Sequence, residues 1–384
     1  MTTYRADWVF TGRGEPIRNG VLRIDRSVIV EIKEWSNDQI DVDLGQSHLI
    51  PGLVNAHTHL DLGALRGRLA PPSAFNDWLL QVIDYRRKAN DTEWTAAIEA
   101  GLQESRRHGT IWLGDISCNG KSLESFQRQQ MDGLVFLELI GMKEERVDLA
   151  MSLAANWMQD DINGKGLSPH APYSVSEMLM NELHTVFHAV PMAMHLAETR
   201  EELQLIQERT GPFREFLQQL GVWQPELLYD SIDDAINLLN DFDRAFLIHG
   251  NYLEREQWQR LAPAMTVVYC PRTHAYFGHV QHPYLNMLAD GVSVALGTDS
   301  LASNPDLSIL NECRFLWQRD RGQLTGPMLM NLATNQGATA LALGKPAHFV
   351  VVPAIGDELP WEQLWGGTSV PTAVYLAGNN LNIS

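Results

Sequence analysis

Basic residues are scarce in this chain of 384: 29 Lys and Arg stand against 47 Asp and Glu, a formal net charge of -18 with His neutral. Nucleic acid and anionic membrane surfaces carry the same sign, so neither is expected as a partner. Cysteine is scarcer still. Cys118, Cys270 and Cys313 are too few and too scattered for a disulfide framework, none stands in a CxxC pair, and an odd number leaves a thiol over, which suits a reducing compartment. No apolar run approaches the ~20 residues of a membrane span. The opening MTTYRADWVF lacks the basic stretch and apolar core of a secretory signal, and there are no low-complexity tracts or charge blocks. These absences lead to the expectation of a cytoplasmic protein acting on a small molecule. The 45% hydrophobic content is enough to bury a large core.

What is present is a recurrence. Short apolar, β-branched runs appear at 49–57 (LIPGLVNAH), 110–117 (TIWLGDIS), 133–141 (GLVFLELIG) and 165–173 (KGLSPHAPY), then at 191–198 (PMAMHLAE), 244–252 (RAFLIHGNY), 265–272 (MTVVYCPR) and 292–300 (VSVALGTDS). Segments of helical period lie between them, such as 92–109, closed by Gly109. Eight strands alternating with helices over roughly 250 residues predict an α/β fold, a (β/α)8 TIM barrel. A doubly wound sheet is the alternative, but it gives no reason for polar residues to cluster at the end of nearly every run. The termini differ: WVFTG, GVLRIDRSVIVEI, AHFVVVPA and PTAVYLAGNN read as strands with turns between them. They predict a small discontinuous β domain, sandwich-like, from residues 1–50 and 345–384, with the barrel at 51–344.

Residues two apart on a strand face the same way, so His57 and His59 would both project into the barrel mouth and could share one metal ion. An isolated HxH is more often a pair of polar residues at a loop start. His195, His249 and Asp299 stand at the corresponding ends of strands five, six and eight, and four coincidences of that kind point to a metal centre. His57, His59, His195 and Asp299 are read as ligands of one divalent ion, zinc with iron as the alternative. Such a metal lowers the pKa of a bound water to about 7. His249 is then close enough to hold water or substrate, and Asp299 can accept the water's proton. Glu198, three residues beyond His195, should sit above the metal as a proton carrier, although a surface glutamate at a helix start is the plain alternative. The strand-four end reads SPHAPY, with no lysine to bridge a second metal. His170 takes that place, as a hydrogen-bond donor to substrate or as a residue shaping the turn.

The segments PGLVNAHTHL, SPHAPYSVS, MHLAET, IHGNYL, YCPRTHAYFGH and ALGTDSLAS, in this order, resemble the landmarks of the amidohydrolase superfamily. The likeness is to its metal-dependent branch of adenosylhomocysteine, guanine and aminofutalosine deaminases and triazine chlorohydrolases. It implies the same ligand set, Glu198 as proton shuttle, and His249 and His170 against water or substrate. One departure lies after strand seven, where many deaminases of the branch carry Ser-Asn and this chain has Arg272-Thr273-His274. Arg272 places a planar cation suited to a carboxylate, or a salt bridge to a loop acid. His274 faces either substrate or solvent. Phe75 and Trp78, three apart, are by spacing alone core residues; the resemblance, in which this segment often lids the site, makes them an aromatic wall for the substrate.

The expected activity is hydrolytic deamination of an amino-substituted heterocycle, an adenine-type nucleoside such as aminofutalosine, by a metal-bound hydroxide with release of ammonia. Triazine dechlorination or opening of a cyclic amide at the same mononuclear site is the nearest alternative. A non-catalytic binding protein is the second, opposed by the retention of all four ligands. The partner is a small heterocyclic molecule, and a homodimer is left open.

Overall fold

The computed structural model describes residues 1–71, 74–159 and 163–381. The chain opens with five strands, β1 (Thr2–Val9), β2 (Ile17–Asp25), β3 (Val28–Glu34), the two-residue β4 (Val42–Asp43) and β5 (Ser47–Pro51). Eight more follow: β6 (Leu53–Thr58), β7 (Thr110–Ser117), β8 (Asp132–Leu139), β9 (Lys165–Pro169), β10 (Met192–Leu196), β11 (Ala245–His249), β12 (Met265–Tyr269) and β13 (Val294–Leu296). The last three are β14 (Phe349–Pro353), β15 (Ala373–Leu376) and β16 (Asn379–Leu381).

Strands β6 to β13 form one parallel sheet in which the order in space is the order in sequence, with helices in the connections. This is a (β/α)8 barrel, and each of its eight strands overlaps one of the eight apolar runs. Strands β9, β10, β11 and β13 are buried along their whole length. A parallel sheet covered on both faces demands that, so MAMHL and AFLIH read as continuous apolar runs rather than alternating ones. Just past β13, the amides of Thr298 and Asp299 both donate to the carbonyl of His57, at 3.1 and 3.0 Å, and so join the last strand's end to the first.

The remaining strands make a separate, largely antiparallel sheet ordered β16-β15-β14-β5-β1-β2-β3, with β4 on β1. Both ends of the chain contribute to it. The run 49–57 proves to be two strands rather than one: β5 pairs with β14 in the terminal sheet and β6 opens the barrel. The break falls at Gly52, where any side chain would meet Ile111, since an added Cβ would lie 2.5 Å from its Cδ1. The chain divides into two compact units, Met1–Ala56 with Ala100–Leu113 and Asp306–Ser384, and His57–Glu99 with Gly114–Pro305. Every polar strand-end residue singled out above lies in the second.

Helix α1 (Phe75–Lys88) carries Asp77 in its first turn and Arg86, Arg87 and Lys88 in its last, the charge order the helix dipole favours. Phe75, Leu79, Val82 and Arg86 recur at steps of four, three and four, so Arg86 continues the stripe that the apolar residues begin. Among the described residues no helix is long and apolar enough to cross a membrane.

Gly297 precedes the closing amides, and a Cβ there would lie 2.9 Å from the Cβ of His57 and 3.0 Å from both the His57 carbonyl and Cys270 Sγ. Gly297→Ala should lower the unfolding free energy by about 1–3 kcal/mol through overpacking, measured by urea denaturation. An unchanged midpoint would mean that the strand ends yield without cost.

Candidate metal centre and active site

His57 lies within β6 and His59 just past it, His195 is the penultimate residue of β10, His249 is the last of β11, and Asp299 follows β13 by three residues. All five side chains are buried. The Nε2 atoms of His59 and His195 stand 3.2 Å apart. Asp299 Oδ1 is 3.4 Å from His57 Nε2 and 3.9 Å from His59 Nε2. Two overlapping sets, His57 with His195 and His249 and His57 with His59 and Asp299, each bring one donor atom per residue within 4.8 Å of the others. Ligand bonds of 2.0–2.2 Å in a tetrahedron separate donors by about 3.3–3.6 Å. The observed separations bracket that range.

The electrostatics agree with the geometry. Burial pushes His59 and His249 down to about 3 and His195 well below the ordinary histidine value. These imidazoles are neutral at pH 7, as ligands must be. His195 Nδ1 lies 3.0 Å from the carbonyl of His170 and donates to it, which leaves the Nε2 lone pair turned toward His59. Burial alone would raise Asp299, but the imidazole of His57 beside it, with His59 and His249, holds it below the usual carboxylate range. Three imidazoles and one carboxylate suit a single divalent cation.

Glu198 leaves β10 on the short loop before the helix Arg200–Glu208, and its Oε1 lies 3.3 Å from His249 Nε2. Burial, then the charges of Asp299 and Glu202, push this carboxyl well above the ordinary range. The protonated form is thus favoured over what an exposed glutamate would show. Its backbone is clamped: the amides of Ala197 and Glu198 donate to the two oxygens of Glu202 at 3.0 and 2.8 Å, and Asn251 Nδ2 donates to the Glu198 carbonyl at 2.9 Å. Glu202 and Asn251 were not among the expected site residues. The signal for Glu202 is Thr199-x-x-Glu202, the spacing of a helix capping box; the hydroxyl of Thr199 does accept from the Glu202 amide.

Three of these positions have left-handed backbones: Ala197 at φ +52, His249 at +70 and Asp299 at +58. Such conformations cost of order 1–3 kcal/mol each at residues other than glycine and collect where a site dictates the direction of a side chain.

A chamber of about 50 Å³ opens on these groups, lined in part by His59, His195, Glu198, His249 and Asp299. Phe75, Trp78 and His170 line it as well. Phe75 and Trp78 also pack against each other and against Phe277, with centroids 5.9, 5.1 and 5.2 Å apart, so they serve wall and core together. His170 Nδ1 shares a 2.8 Å hydrogen bond with Ser174 Oγ. Arg272 and His274 ride on the helix Pro271–Tyr276 and line neither this chamber nor the cavity beside it. His274 is buried with its ring against Tyr269, His279 and His282.

The neighbouring cavity is larger, about 590 Å³, within the range of small-molecule sites. It shares Leu79, Val82, Arg86, Glu138, His170 and Tyr173 with the chamber. Arg86 and Glu138 are a second surprise. Arg86 Nη1 is 2.7 Å from Glu138 Oε2, and Arg86 Nε is 3.1 Å from Asp61 Oδ2. Their signals in the sequence were slight: one acid inside the apolar run VFLELIG, and one arginine continuing an apolar helical stripe.

The amidohydrolase family profile matches residues 48–380. A 5-methylthioadenosine/S-adenosylhomocysteine deaminase of Pyrococcus abyssi is 26% identical over 362 residues, 88% of this chain and 80% of the relative. An aminodeoxyfutalosine deaminase of Deinococcus radiodurans is 28% identical over 291 residues, 70% of this chain and 68% of the relative. Among solved structures, the aminofutalosine deaminase of Helicobacter pylori in complex with methylthio-coformycin superimposes with a TM-score of 0.86 at 20% identity, covering 99% of this chain and 100% of that one. That likeness is one of fold.

Replacing His59 by Ala should drop bound divalent metal from about one ion per chain to a small fraction, because a ligand lost from a four-donor set is lost affinity. Plasma mass spectrometry of the purified protein measures it. Full occupancy in the variant would remove His59 from the ligand set.

Proposed function

The chain belongs to the amidohydrolase family, and from that membership we propose that it hydrolytically deaminates an amino-substituted heterocycle, an adenine-type nucleoside derivative such as aminofutalosine. The observation that carries this reading is the buried carboxyl of Glu198 set 3.3 Å from His249 and beside the four donors, its proton affinity raised by burial. The names of the relatives from Pyrococcus and Deinococcus, deaminases of adenosine derivatives, support it. His57, His59, His195 and Asp299 would hold one divalent ion, zinc by the preference of that donor set, and when bound it supplies a polarised water of lowered pKa.

The chain's own groups do the rest. Asp299 Oδ1, ionised and facing His57, is placed to take a proton from water. Glu198 Oε1 gives its proton to the ring nitrogen beside the reacting carbon and carries the next to the departing ammonia. His249 Nε2, in reach of Glu198, steadies charge as it develops at that carbon. Phe75 and Trp78 offer flat apolar faces to the ring and narrow the entry of water. Chloride leaves without a proton, so dechlorination would leave Glu198 only the first of these two tasks.

The chamber alone is too small for a nucleoside, so the remainder of the substrate extends into the larger cavity. Arg87, Lys143 and Arg146 line it, and none of the three pairs with an acid among the described residues. A cluster of cations in a protein of net charge -18 suits a carboxylate at the far end of the substrate.

Three measurements test the reading. Metal-loaded protein should release ammonia from adenosine derivatives and not from guanine, cytosine or aminotriazines; release from a free base alone would overturn it. Glu198→Gln should retain the metal while turnover falls by about 10²-fold or more, and undiminished turnover would take Glu198 out of the reaction. Lys143→Met combined with Arg146→Met should raise KM about tenfold for a carboxylate-bearing nucleoside and leave adenosine unchanged, as expected of an exposed charge contact that acts on binding. Equal effects on both substrates would count against the carboxylate.

A further inference from the structure

Glu138 is the penultimate residue of β8, its side chain only 4% exposed, and its two oxygens are treated differently. Oε2 accepts from Arg86 Nη1 at 2.7 Å. Oε1 has no hydrogen-bond partner among the described residues, and His170 Nε2 stands 3.9 Å from it. A carboxylate oxygen this deeply buried and without a donor is costly, and native proteins tolerate such an atom where something else completes it. Glu138 is also one of the few residues lining both the metal-side chamber and the larger cavity. It is the one carboxylate among the six they share, the others being Leu79, Val82, Arg86, His170 and Tyr173.

We infer that Glu138 Oε1 accepts hydrogen bonds from the hydroxyls of a sugar that joins the reacting ring to the rest of the substrate, making Glu138 the residue that selects nucleosides over free bases. This rests on the deaminase reading above. With the ring at Glu198 and an anionic end near Lys143 and Arg146, the middle of the substrate crosses the boundary that Glu138 lines. Burial would raise the carboxyl, but Arg86 outweighs it and keeps Glu138 ionised, an acceptor with no proton to give. Arg86 is shared with Asp61, so two carboxylates face one guanidinium. Arg86 also holds Oε2 in place, leaving Oε1 for the ligand. A vicinal diol supplies two neighbouring O–H donors to the two lone pairs of Oε1, and a free base or aminotriazine supplies none at that position.

The test compares adenosine with 2′,3′-dideoxyadenosine on the metal-loaded full chain. Wild-type kcat/KM should fall by about 10–10²-fold for the dideoxy compound, the size expected for charge-assisted hydrogen bonds. Ratios within about twofold would overturn the assignment without recourse to any variant. Glu138→Gln can keep an oxygen toward Arg86 and turn an amide NH₂ toward the cavity, replacing an acceptor by a donor. It should lose about 10–10²-fold on adenosine, mostly in KM, with little further loss on dideoxyadenosine. Equal losses on the two compounds would show a structural role and sink the proposal while leaving the deaminase reading intact. Failure of fully metallated wild type to release ammonia from either nucleoside, with release from a free base, would sink both.

Discussion

One carbonyl oxygen, that of His57, receives two amides, those of Thr298 and Asp299, and the site depends on that junction. It joins the end of the barrel's last strand to its first. It also sets the carboxylate of Asp299 against the imidazole of the same residue whose carbonyl is being held, at 3.4 Å. Strand pairing and donor spacing are therefore one constraint: the barrel cannot shift its closing register without pulling the carboxylate away from the rings. Gly297 allows the approach because nothing larger fits against His57 and Cys270.

Around this junction the charges are arranged in pairs of opposite consequence. Glu198 and Asp299 are both buried carboxyls in one chamber, yet one is driven toward its protonated form and the other toward its ionised form. The difference lies in the neighbours, since Asp299 has the imidazole of His57 against it while Glu198 has the acids Asp299 and Glu202. Groups whose surroundings push their proton affinities apart can share the labour of acid and base. Glu202 contributes in two ways, by its charge and by fixing the backbone of the residue it influences.

The barrel was legible because it is written in local periodicity: eight buried parallel strands must be eight apolar runs, and Gly109 closes a helix where the pattern stops. The run 49–57 reads as one strand because LIP and LVNAH are equally apolar, yet they serve different sheets; only Gly52 between them marks the change. His57, His59, His195, His249, Glu198 and Asp299 stood out because polar residues at strand ends interrupt that pattern. Arg86, Glu138 and Asp61 did not. Their meaning lies in contacts made across 25 and 52 residues of chain, and nothing local distinguishes Arg86 from the two basic residues after it except its place on the stripe of Phe75, Leu79 and Val82. Arg272 and His274 drew notice for chemistry that their helix carries away from the cavity lining.

The left-handed backbone at Asp299 limits how this position can drift over generations. Aspartate and asparagine enter that conformation more readily than most residues, and glycine most readily of all. A longer glutamate would preserve the charge but not the local ease of folding, and would overreach the ring it faces. Of the residues the backbone welcomes, only one carries an anionic oxygen on a short arm. The usual conservative exchange of one acid for the other is thus closed here. A descendant that abandoned this aspartate would arrive first at asparagine or glycine, well folded and short of the one anionic oxygen set against these rings, which is how a barrel of this kind could lose its donor set while keeping its shape.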